Sequence, residues 1–173
     1  SRGLGDVYKR QGEDFVTRKI SKGLARWMKD STPIVLGNLN AKRDWGHAKD
    51  YVEAMWKMLQ LDKPADLVIS TGHQISVRTF IEKVCKELKF EIKWSGSDVN
   101  EKGYINDKVV VEIDSKYFRP AEVENLIGDS SKAKKILSWE NKTSFKDLVS
   151  MMVVSDYDKI KMANHSLAGS HAS

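Results

Sequence analysis

The chain has 173 residues, 40% of them apolar, a net charge of +5 and a sequence pI near 9.2. That is enough apolar sequence for one core-bearing domain. Asp and Glu are interspersed among the Lys and Arg as on a solvated surface, and no reader motif accompanies the charge, so no nucleic-acid partner is expected. Cys85 is the single cysteine, which excludes a disulfide within the chain and fits a reducing compartment. No apolar run approaches the ~18 residues of a membrane span and no signal-peptide core opens the sequence, so the expected location is cytoplasmic, with no membrane partner.

Residues 1–11 have neither helical nor strand period, and Gly3 and Gly5 do not extend to a Gly-x-Gly-x-x-Gly turn because Tyr8 stands in the third glycine position. They read as non-native or linker sequence. A helix is predicted over Thr17 to Met28, with Ile20, Leu24, Trp27 and Met28 on one face. Pro33 precedes a short strand, Ile34 to Leu36, which ends in Gly37 and Asn38. The loop Lys42-Arg43-Asp44-Trp45-Gly46 leads into a helix from His47 to Gln60, whose Ala48, Tyr51, Val52, Met55, Trp56 and Leu59 form an apolar stripe expected to face the core.

Leu67 to Ser70, followed by Thr71 and Gly72, reads as a buried strand of a parallel sheet. Ser76 is placed to cap a helix that buries Val77, Phe80, Ile81, Val84 and Leu88, with Cys85 inside it. Phe90, Ile92 and Trp94 alternate, as do Val109, Val111 and Ile113, so both runs are expected to be strands covered on one face. The polar stretch Ser95 to Asp107 between them, with Gly96 and Gly103, reads as a loop. Ser131 starts a short helix, and Ser144 with Asp147 forms a capping box for a last helix carrying Phe145, Leu148, Val149, Met152 and Val153. Beyond it, 162–173 is expected to be a disordered tail. Helices and strands alternate, so the class is α/β.

A nicotinamide enzyme needs a glycine-rich turn after its first strand, where backbone N–H groups at a helix N-terminus meet the pyrophosphate. None is present. It also needs a Tyr whose proton exchange is tuned by a Lys four positions on. Tyr104 with Lys108 and Tyr157 with Lys161 have that spacing, but with five tyrosines in a lysine-rich chain such matches are expected by chance. No metal-ligand spacing and no nucleophile elbow occurs. What remains is polar groups at element ends: Lys19 where the first helix begins, Arg43 in its turn, and Arg119 with Glu122 three positions apart beyond Tyr117 and Pro120. A guanidinium fork can give a diphosphate two parallel charge-assisted hydrogen bonds, and a nearby carboxylate can take ribose hydroxyls. A surface salt bridge is the alternative use of Arg119 and Glu122.

The run Asn38-Leu-Asn-Ala-Lys-Arg-Asp-Trp-Gly-His-Ala-Lys-Asp-Tyr51 closely resembles the GDP-mannose 4,6-dehydratase family of the extended short-chain dehydrogenase/reductase superfamily. Phe15 to Ile20, Thr71-Gly72 with Ser76 to Arg78, Tyr117 to Pro120 with Glu122, and Gly128-Asp129 extend the resemblance over about 12–161. It implies the C-terminal part of such an enzyme: the last strands of a Rossmann-like sheet plus a small α/β substrate-binding domain. By resemblance Val16, Lys19, Arg43, Arg119 and Glu122 contact the GDP moiety. The reaction implied converts GDP-mannose to GDP-4-keto-6-deoxymannose and water with NADP as cofactor, in a homo-oligomer when intact. The glycine-rich turn and the catalytic Thr, Glu, Tyr and Lys would lie upstream, so no catalytic or cofactor-binding residue is assigned here. Departures from the family pattern include Arg10-Gln11 in place of paired arginines, His73 for a carboxylate, Ala121 for Thr, and a connection before Pro33 about one residue short. Two other readings stand beside this one. Another nucleotide-sugar epimerase, dehydratase or reductase of the superfamily would share the Arg-Asp-aromatic turn but not the long run. A non-catalytic basic binding module would take an acidic protein or RNA.

Overall fold

A computed structural model describes residues 15–117 and 127–169, with side chains as far as Asp158. Helix α1 (Val16–Asp30) leads into β1 (Ile34–Leu36), a short β2 (Lys42–Arg43), α2 (Ala48–Met58) and β3 (Ile75–Ser76). There follow α3 (Val77–Glu87), β4 (Lys93–Ser95), β5 (Lys102–Ile105), β6 (Lys108–Ile113), α4 (Ser131–Leu137) and α5 (Phe145–Gly169). The main sheet has the order β1-β6-β5-β4, parallel only between β1 and β6, while β2 and β3 form a separate antiparallel ribbon. The α/β class expected from the alternation is what the chain adopts.

The apolar periods explain the assembly. Ile20 and Leu24 of α1, Phe80, Ile81 and Val84 of α3, and Val149, Met152 and Val153 of α5 close over Ile34, Leu36, Ile105, Val110 and Val111 of the sheet, all buried. Polar groups fix the layers in register. The Trp27 indole N–H donates to the Val109 carbonyl at 2.7 Å, tying α1 to the sheet, and the buried Ser21 hydroxyl donates to the Asp156 carboxylate at 2.5 Å, tying α1 to α5. Satisfied buried polar groups of this kind fix one packing among several apolar alternatives. Ser76 Oγ accepts the Thr79 N–H at 3.1 Å and Ser144 Oγ accepts the Asp147 N–H at 3.1 Å, so both caps read from sequence are formed. Cys85 is fully buried, and that burial, with the charge of Glu82, pushes its thiol up to about 12, so it is an inert core side chain.

A second, smaller cluster gathers Ala54, Ala133, Leu137 and Trp139, with Met58, Leu61, Leu67 and Ile69 against it. Here three sequence expectations need correction. α2 buries the face of Asp50 and Ala54, whereas Val52, Met55, Trp56 and Leu59 of the predicted core stripe are exposed, Trp56 by 61% and Leu59 by 82%. Periodicity identifies an apolar face but not whether anything lies against it. Leu67 to Ser70 belongs to no strand, because no described strand lies beside it to complete a hydrogen-bond ladder, and Val68 is 52% exposed. Residues 95–107 are not a plain loop: they hold the end of β4, a 3-10 turn and β5, and Asn106 and Asp107, both at positive φ, close a two-residue hairpin onto β6.

Smaller differences have similar causes. Of the Phe90 to Trp94 run only Lys93 and Trp94 pair as a strand, in β4. The ladder between β5 and β6 is irregular between Gly103 and Tyr104, so Val110 and Val111 are both buried and the predicted alternation breaks. Helix α5 continues through Gly169 into the segment expected to be disordered, a stretch with Ala and Leu and no proline to stop it. The 1–11 expectation lies outside the described residues.

Phe80→Ala should therefore destabilise the chain by about 3–5 kcal/mol, while Trp56→Ala should change stability by no more than about 0.5 kcal/mol. Urea unfolding followed by circular dichroism checks both.

Candidate functional site

In open α/β sheets ligands settle outside the carboxyl ends of the strands. Here the only described parallel pair is β1 with β6, in the register Ile34↔Val111 to Leu36↔Ile113. Their carboxyl ends release two loops side by side, 37–47 and 114–117. The Asp114 N–H donates to the Leu36 carbonyl at 2.9 Å, so the two loops leave together. Gly37 is required by this approach: a Cβ there would come 2.5 Å from the Tyr117 carbonyl oxygen.

The first loop is stitched down along its length. The Val77 N–H donates to the Ala41 carbonyl at 3.1 Å and the Arg78 N–H to the Leu39 carbonyl at 2.9 Å. Arg78 in turn makes a bidentate pair with Glu101 at 2.6 and 2.8 Å, its guanidinium over the Trp94 ring. The firmest stitch is Asp44. Its carboxylate accepts the Thr71 hydroxyl at 2.6 Å, the Thr71 N–H at 3.2 Å and the Gly72 N–H at 2.9 Å. Trp45, next along, joins Phe80 and Phe145 in a three-ring cluster, with their centroids 5.1 and 6.3 Å from its own and 5.7 Å from each other. Gly46 admits the Tyr51 ring, which a Cβ would meet at 2.4 Å. Burial, together with the charges of Asp44 and Asp50, pushes the Tyr51 phenol up to about 12, so it stays protonated at neutral pH. Arg43 is thus carried on a backbone pinned on both sides, half-buried, with its Nη1 donating to the Lys42 carbonyl at 2.7 Å.

Lys19, in the first turn of α1, reaches the second loop: its Nζ lies 4.0 Å from the centroid of the Tyr117 ring. Val16 packs its side chain against the main core, which leaves the backbone at the start of α1 as its polar surface. Arg119 and Glu122 lie outside the described residues, just beyond Tyr117. Lys19 is thus brought to the segment that runs on to Arg119, and Arg43 to the neighbouring loop at the same end of the sheet.

The two Tyr–Lys spacings are not brought into working pairs. Tyr104 pairs across the hairpin with Val109 and Lys108 with Ile105, which puts Tyr104 and Lys108 on opposite faces of the sheet. Tyr157 is exposed on α5, and the side chain of Lys161 lies outside the described set. No cluster of metal-ligating side chains occurs among the described residues, and no described helix is long and apolar enough to cross a membrane. A separate cavity of about 430 Å³ lies between Trp45, Gly72 to Ile75 and the start of α5. Sequence reasoning missed the anchoring function of Asp44. The signal available was an acid beside a turn arginine, but its partners lie 27 positions downstream.

The fold is that of part of an extended short-chain dehydrogenase/reductase. It superposes on the RMD protein of Pseudomonas aeruginosa complexed with NADPH (TM-score 0.67, 16% identity, 86% of this chain and 44% of that one). It likewise superposes on UDP-glucose 4-epimerase of Thermotoga maritima with UDP-glucose (TM-score 0.62, 19% identity, 88% and 41%). The sequence profile of GDP-mannose 4,6 dehydratase matches residues 7–152, and the chain belongs to that family. The GDP-mannose 4,6 dehydratase of Dictyostelium discoideum is 54% identical over 88% of this chain and 44% of its own length. The human enzyme of that name is 49% identical over 88% and 42%. The chain spans less than half the length of these curated relatives.

Asp44→Ala should destabilise the chain by on the order of 2–4 kcal/mol, since it leaves the Thr71 and Gly72 donors without their acceptor. Faster amide exchange at Thr71 and Gly72 than elsewhere, measured by NMR, distinguishes this local release from general unfolding.

Proposed function

We propose that this chain is the GDP-sugar-holding portion of a GDP-mannose 4,6-dehydratase, the enzyme that converts GDP-mannose to GDP-4-keto-6-deoxymannose and water. The observation that supports the reading is that Lys19 meets Tyr117 in the loop after β6 while Arg43 is carried on the loop after β1, the strand paired with it, in a chain of this family. Cations held there by backbone and ring contacts are organised before any ligand arrives, which lowers the ordering cost of binding an anion. Lys19 and Arg43 would take the diphosphate, Val16 the base or ribose through its backbone, and Arg119 and Glu122 the remaining phosphate and hydroxyl groups.

The solved RMD protein is complexed with NADPH and the epimerase with UDP-glucose, and a nicotinamide cofactor, NADP, belongs to the intact enzyme in this reading. The described residues do not fit that group. β1 runs into β2 and not into a helix N-terminus, so it supplies no glycine-rich turn for a pyrophosphate. No hydride or proton step is therefore assigned to these residues. The exposed stripe of α2 and the unpaired segment 65–70 support the same reading: both are surfaces made for burial, and the relatives have more than half their length outside the match. A cytoplasmic, homo-oligomeric enzyme is the setting proposed for the whole protein.

Calorimetric titration of the 173-residue chain with GDP tests the site, and binding that is lost in Arg43→Ala is the expected result. The loss should be about 2–4 kcal/mol, the worth of a charge-assisted pair. Unchanged affinity would remove Arg43 from the site. Binding of polyanionic RNA with a steep salt dependence and no GDP binding would favour a basic binding module. With GDP-mannose and NADP supplied, the chain alone should form no 4-keto product. Turnover above background would return Tyr104 or Tyr157 to consideration as the catalytic phenol.

A further inference from the structure

Two ammonium groups share one aromatic ring at the edge of this site. Lys19 Nζ stands 4.0 Å from the Tyr117 centroid and Lys116 Nζ 4.9 Å from it. At such distances the ring's quadrupole attracts each ammonium group. Lys116 also pairs with Asp114, whose carboxylate lies 2.9 Å away. Lys19 is half-buried and has no carboxylate partner among the described residues.

The ring that holds them is not a loose surface side chain, although 45% of Tyr117 is exposed. Its residue ends a 3-10 turn in which the Tyr117 N–H donates to the Asp114 carbonyl at 3.1 Å, and its carbonyl is pressed against Gly37. The cations arrive from different parts of the chain, one from α1 and one from the turn after β6. The Tyr117 ring is the contact they share.

We propose that Tyr117 is a positioning residue for a nucleoside diphosphate, its π face gathering Lys19 and Lys116 into a two-cation seat for the phosphates. This rests on the GDP-sugar reading and extends it to two residues outside the set expected from the sequence. A two-cation seat discriminates by charge: a diphosphate engages both ammonium groups, a monophosphate one. Lys19 is held by the face of the ring, so its placement does not need the phenolic hydroxyl.

The test is titration of the full chain with GDP and with GMP, by calorimetry and NMR. Tyr117→Phe should keep GDP affinity within about twofold, whereas Tyr117→Leu should weaken it about tenfold and weaken GMP binding less. Lys116→Met should narrow the preference for GDP over GMP in the same direction, and it leaves the ring in place should the Leu variant fail to fold. The ε-methylene protons of Lys19 should be shifted upfield by ring current in the parent chain and in Tyr117→Phe but not in Tyr117→Leu. If the parent binds GDP and Lys19→Met weakens it while Tyr117→Leu does not, the seat is overturned and the GDP-sugar reading survives. Equal losses in the Phe and Leu variants would also overturn it, by assigning the effect to the hydroxyl. No GDP binding by the parent chain at millimolar concentration would overturn both.

Discussion

Everything that positions the site follows from three parallel rungs between β1 and β6. The strands are short and far apart in sequence, so their pairing depends on the layer of α1, α3 and α5 pressed onto them. Once Leu36 stands beside Ile113, the two loops that leave these strands have no choice but to run together. Gly37 sets how closely they approach. The cation-bearing residues are therefore placed by the geometry of the sheet, and each loop needs only local stitching to hold its shape.

That stitching is unequal in a way that suits a binding site. The loop carrying Arg43 is held by the Asp44 carboxylate, two backbone hydrogen bonds to α3 and the ring contacts of Trp45. The loop carrying Tyr117 is held mainly by its contact with Gly37 and by the turn after Asp114. A rigid wall faces a lighter one. Preorganisation on the first side limits the ordering a ligand must impose, and the second side can adjust to what enters.

Local signals in the sequence were reliable where the physics is local. Ser76 and Ser144 cap their helices as read, and Phe80, Ile81 and Val84 are buried as their period requires, because capping and amphipathic spacing act within a few residues. The sequence was silent where a partner decides. The stripe of α2 has the same period as that of α3 but lies uncovered, and Leu67 to Ser70 has a strand's composition without a strand beside it. β5 escaped notice because Gly103 and the short spacing disguise it, although paired Asn106 and Asp107 are residues that tolerate the left-handed conformation a tight hairpin needs. For the site, Arg43 was legible as a turn guanidinium and Lys19 through the family run around it. Asp44 and Tyr117 act through contacts distant in sequence, and nothing in their immediate neighbours discloses them.

The division of the interior into two clusters has its own consequence for how the molecule breathes. The large cluster is closed by three helices and the sheet, while the small one rests on Trp139 and a few aliphatic residues around α2 and α4. Asp50 is the hinge pin between them: its carbonyl accepts the Trp139 indole N–H at 2.8 Å and its carboxylate accepts the Thr143 N–H at 3.0 Å. Cooperative units open in order of the apolar surface each one seals. The α2–α4 side, which seals less apolar surface, is therefore expected to open at lower free energy than α1, α3 and the sheet. The Asp44 clamp to Thr71 and Gly72 lies at its border, so the rigid wall of the site borrows its stiffness from the more stable unit.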